Sequence, residues 1–110
     1  MKRIMFSKNN VEPMQRRNLF QTICNSGGKC CKVIMDGGRT NNLVSEEMVR
    51  KFGLQRLKHP IPYGIIWFQD DHWVQVREQC LVNLSIGPFK DEFLCDVVDM
   101  SVCHVLLGRS

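Results

Sequence analysis

The sequence predicts an all-β domain, mainly antiparallel, with one short helix near residues 45–52. Three observations predict it. From Trp73 to Ile86 the even positions read Val74, Val76, Glu78, Cys80, Val82, Leu84 and Ile86, while the odd positions are mostly polar (Gln75, Arg77, Gln79, Asn83, Ser85). That period of two is what a half-buried strand requires. Strand-length apolar runs follow one another across turn residues with no crossover helix between them, which favours antiparallel neighbours in a barrel or sandwich. Finally, the segment opened by Ser45 carries helix-capping residues at both ends.

Taken in order, residues 1–17 show no period and many polar or charged side chains, and read as a flexible basic tail or linker; the domain is expected over 18–110. Residues 19–24 read as a strand. Asn25-Ser-Gly-Gly28 supplies residues that tolerate positive φ in a tight connection, and residues 29–35 return with Cys31, Val33 and Met35 on one face. In the helix, Glu46 and Glu47 put negative charge in the first turn, Met48 and Phe52 share a face, and Arg50 and Lys51 close the last turn before Gly53. His59-Pro-Ile-Pro-Tyr63 must be extended, because proline steers the residue before it away from the helical region. Residues 65–68 and the long alternating strand flank a polar tip, Gln69-Asp-Asp-His72. Gly87-Pro88 then turns the chain into residues 89–98, apolar on both faces, and residues 104–107 form a last apolar run.

A chain of 110 residues is one small domain, and 44% hydrophobic with 24% charged residues is the balance of a folded soluble protein. No stretch approaches the ~20 apolar residues that cross a bilayer. The basic start, Met1-Lys-Arg-Ile-Met-Phe-Ser-Lys, lacks the apolar core of a signal peptide, so an intracellular, cytoplasmic protein with no membrane contact is expected. In that reducing setting the six cysteines read as small core side chains rather than disulfides. No C-x-x-C pair occurs and His59, His72 and His104 have no partner at ligand spacing, so neither metal nor cofactor is expected. Residues 1–60 hold twelve Lys/Arg against four Asp/Glu, and residues 61–110 hold three against seven. The basic half could meet nucleic acid, but its charges are scattered with few aromatics among them, and a solvated surface is the preferred reading.

One stretch looks chemical: Val33-Ile-Met-Asp36-Gly37-Gly38, an acid delivered straight from an apolar strand into two glycines. Asp-Gly is also an ordinary turn dipeptide, and on these residues alone both readings stand. The ordered set around it narrows the choice. Asn18-Leu-Phe-Gln-Thr22, Val33-Ile-Met-Asp-Gly-Gly38, Asn42-Leu-Val-Ser45, Lys58-His-Pro60, Ser85-Ile-Gly87, Lys90-Asp-Glu92, Leu94-Cys-Asp-Val-Val98 and Cys103-His-Val-Leu-Leu-Gly-Arg109 together resemble the retropepsin family. The likeness is to the protease domain of plant gypsy-type retrotransposon polyproteins.

The resemblance implies a closed β-barrel and an aspartic endopeptidase acting on polypeptides. It matches Asp36 to the catalytic aspartate, Gly37 and Gly38 to the active-site loop, and Leu106, Leu107 and Gly108 to the element packed beneath that loop. Trp67, Phe68, Gln69, Asp70, Asp71, His72 and Trp73 occupy the place of the substrate-covering flap. Trp67 and Trp73 either brace that hairpin or are simply partly buried aromatics. Such hydrolysis needs two carboxylates sharing a proton. Asp70, Asp71, Asp91, Asp96 and Asp99 lack the following glycine, so the second acid is expected from a second chain, in a homodimer. Departures from the pattern are Gly37, where the family carries Ser or Thr, and Arg39, whose charge would favour ionised Asp36 over proton sharing. The family also continues into a helix and strand beyond the point where this sequence stops, so a C-terminally truncated domain is expected. The alternative function is a catalytically inactive descendant that binds a peptide or protein in the old groove.

Overall fold

The computed structural model describes residues 2–5, 19–38, 40–67 and 72–108. Strands β1 (Lys2–Met5), β2 (Leu19–Ser26), β3 (Lys29–Asp36) and β4 (Leu43–Ser45) lead into helix α1 (Glu46–Phe52). Strands β5 (Leu57–Trp67), β6 (His72–Ile86), β7 (Phe89–Val98) and β8 (Val105–Leu107) follow. The fold is mostly β, as expected, and the helix lies where its caps place it. Ser45 Oγ accepts the Met48 N–H at 3.0 Å, and Gly53 ends the helix at φ 64°, a left-handed conformation natural to glycine.

The sheet departs from the expected closed, mainly antiparallel barrel in two respects. It is mixed: β1–β5, β3–β8 and β4–β7 are parallel, while β2–β3, β2–β6, β4–β8, β5–β6 and β6–β7 are antiparallel. The pairings do run full circle through β6, β2, β3, β8, β4 and β7, but β2 meets β6 only at Asn25 and Ser85. The result is not a clean barrel. The cause is the length of β6, whose first half pairs with β5 and whose second half pairs with β7. Within the stretch read as a tail, residues 2–5 form β1 alongside Tyr63, Gly64, Ile65 and Ile66, supplying hydrogen-bond partners to an otherwise open edge of β5.

Two apolar clusters lie on opposite faces of the inner strands. Val33, Val44, Val97, Val105 and Leu107 join Cys24, Cys31, Met48, Cys80, Val82 and Cys95 in the larger one. Their neighbours of opposite parity, Ile34, Leu43, Val98 and Leu106, pack with Tyr63, Ile65, Val76, Met100 and Cys103 in the other. Burial on both faces accounts for the apolar run of β8 and for the adjacent Val97 and Val98 at the end of β7. Among the described residues no helix is long and apolar enough to cross a membrane.

Candidate active site

Strand β3 delivers Asp36 at its last residue, opposite Leu19 of β2 and on the face shared with Ile34. The chain then turns at once. Gly38 N–H donates to Asp36 Oδ1 at 2.9 Å, closing a local turn around the carboxylate. Asp36 is 4% exposed. The Asp-Gly turn is thus present, and it holds a buried acid.

Leu106 and Leu107 belong to β8, and Gly108 follows directly after it. β8 lies parallel to β3 with Val33 beside Val105, Ile34 beside Leu106 and Met35 beside Leu107. Gly108 N–H donates to Asn42 Oδ1 at 2.9 Å, tying the end of this element to the loop that leaves Asp36. Of the flap candidates, Trp67 ends β5 and pairs with His72 at the start of β6. Phe68, Gln69, Asp70 and Asp71 lie outside the described residues, as does Arg39. The Trp73 indole lies over Gly64, so close that a Cβ added at Gly64 would meet Trp73 Cζ2 at 2.1 Å.

Behind the loop lies a polar cluster that sequence reasoning missed. Asp96 of β7 is buried, and its carboxylate is met from two other strands. The Tyr63 hydroxyl donates to Oδ2, Gln79 Nε2 donates to Oδ1 at 3.1 Å, and His59 Nε2 stands 3.2 Å from Oδ1. Asn41 Nδ2 donates to the Tyr63 hydroxyl at 3.4 Å. The Ile61 N–H donates to His59 Nδ1 at 2.9 Å, so the neutral ring carries its proton on Nε2, toward Asp96. A signal was present in the sequence, since Asp96 is a lone acid inside the apolar run of residues 93–98.

Burial pushes Cys31 and Cys80 up to about 11 and Cys95 up to about 12, which keeps them protonated and unreactive at neutral pH. Among the described residues no group of three or more His, Cys, Asp or Glu side chains is arranged to hold a metal ion. No family model, curated protein or solved structure matches the chain.

Proposed function

We propose that the chain is an aspartic endopeptidase domain of the retropepsin type, hydrolysing peptide bonds as a homodimer in which each copy contributes its Asp36. One observation carries this reading. A buried acid ends strand β3, accepts the Gly38 N–H of its own turn, and has Leu106 and Leu107 of β8 in parallel register alongside the residues that precede it. In the reaction, one carboxylate takes a proton from water as the water oxygen attacks the scissile carbonyl carbon, and the other, protonated, gives its proton to the carbonyl oxygen. The tetrahedral intermediate then breaks its C–N bond as the first carboxyl passes its proton to the leaving amine nitrogen and the second takes one back from a hydroxyl. Two carboxylates a few ångströms apart cannot both ionise, so the pair holds both roles at once.

A second reading, an inactive descendant that binds an extended peptide, is favoured by two specific features. Gly37 brings no hydroxyl to brace a partner's loop, and Asp36 is shielded from solvent within the single chain. The test combines mass in solution with cleavage. The protease reading expects twice the 12.8 kDa chain mass by light scattering. It also expects digestion of an unstructured protein at about pH 5 that Asp36→Asn lowers at least ~1,000-fold. A monomer whose cleavage is indifferent to Asp36 leaves the binding module.

A further inference from the structure

We propose that Asp96 is the positioning residue for the loop that follows Asp36; the inference rests on the reading of Asp36 as the reacting carboxylate. The chain between β3 and β4 begins with two glycines, whose backbone freedom is the greatest of any residue, so its geometry depends on tethers from elsewhere. Tethers reach it at Asn41 and Asn42. Asn41 Nδ2 donates to the Tyr63 hydroxyl, the Asn42 carbonyl accepts the Asp96 N–H at 2.8 Å, and Asn42 Oδ1 accepts the Gly108 N–H.

Two of these tethers lead to Asp96. One is its own main chain. The other runs through Tyr63, whose single hydroxyl proton goes to Asp96 Oδ2, leaving the oxygen's lone pairs turned outward to accept from Asn41. Gln79 and His59 hold the opposite carboxylate oxygen, so Asp96 is itself fixed from β5 and β6. Stability alone is a poor explanation for this arrangement. The neighbours Val97 and Val98 are apolar and buried, and an apolar residue at position 96 would avoid the desolvation cost of a buried carboxylate. What the carboxylate adds is direction: it orients one hydroxyl, and that hydroxyl orients the loop.

The test uses the full chain, isotopically labelled, with Tyr63→Phe and Asp96→Asn as variants and Leu84→Ala, a core truncation remote from the loop, as a control. Amide hydrogen exchange is read at Gly38 and Gly108 against Val82 and Val105. In Tyr63→Phe, exchange at the two glycines should rise ~10-fold or more while the core amides hold, the mark of local rather than global opening. Asp96→Asn should reproduce this where it folds, and Tyr63→Phe, which removes one oxygen, keeps the question answerable where it does not. Unchanged glycine exchange in Tyr63→Phe, or an equal selective rise in Leu84→Ala, overturns the proposal. In cleavage assays Tyr63→Phe should lower kcat roughly 10-fold with KM little changed; a loosened loop with intact kcat also overturns it. A wild-type chain that cleaves nothing removes the protease reading and leaves the positioning role to the glycine amides, which decide it separately.

Discussion

Gly64 is the residue whose identity the packing constrains most directly. It sits on β5 with Trp73 diagonally across on β6, and the indole takes the space where any other side chain would begin. Gly64→Ala should therefore evict the ring and cost about 1–3 kcal/mol, the range for overpacking a filled site. Urea unfolding reads the loss, and near-UV circular dichroism reads the displaced indole; an alanine variant of wild-type stability and spectrum would refute the contact. Nothing in Pro62-Tyr-Gly64-Ile announces this, because the contact exists only once β5 and β6 pair in register. The same distinction separates the two acids. Asp36 was legible because its partner, Gly38, lies two residues away and the Asp-Gly-Gly string spells out the turn. For Asp96 the sequence shows only a lone acid in an apolar run and not its partners, because Tyr63 and Gln79 reach it from 33 and 17 residues off.

Local signals served best where an element closes its own hydrogen bonds. Helix α1 is seven residues long, too short to stand without packing, so its ends matter. Ser45→Ala removes the acceptor for the Met48 N–H in a buried setting and should cost about 1–2 kcal/mol. Gly53→Ala forces a Cβ into the left-handed region and should cost about 1 kcal/mol. The two sites lie at opposite ends of the helix, so the double variant should approach the sum in urea midpoint; a null result at both would mean the helix is held by its packed face alone. Long β6 and β7 were equally readable, one from its alternation and the other from its turn at Gly87-Pro88. β4 was missed and β8 read only as an apolar run, since three residues cannot display a period. β1 was missed because an edge strand takes its order from the neighbour it pairs with, not from its own pattern.

The whole molecule is held by two cores, and the larger one is rich in thiols. Cys24 faces Cys31 across β2 and β3, and Cys80 faces Cys95 across β6 and β7, all four inside that cluster. Burial raises each of them above the ordinary 9.0, to about 11 for Cys31 and Cys80 and about 12 for Cys95. Folding therefore favours the protonated form. Below about pH 9 folded and unfolded chains both hold these protons, and the stability is fully present. Above it the unfolded chain releases protons that the folded chain keeps, so stability falls as pH rises from 9 towards 11 and 12. The slope is at most about 1.4 kcal/mol per pH unit for each thiol. Urea unfolding under reducing conditions between about pH 8 and pH 10.5 measures it. Lysine and tyrosine titrate in the same range, so the comparison that isolates the core is with Cys80→Ala and Cys95→Ala. Each variant should start less stable and lose stability less steeply than the wild type. Parallel slopes in all three would mean that the buried thiols do not govern the alkaline limit of the fold.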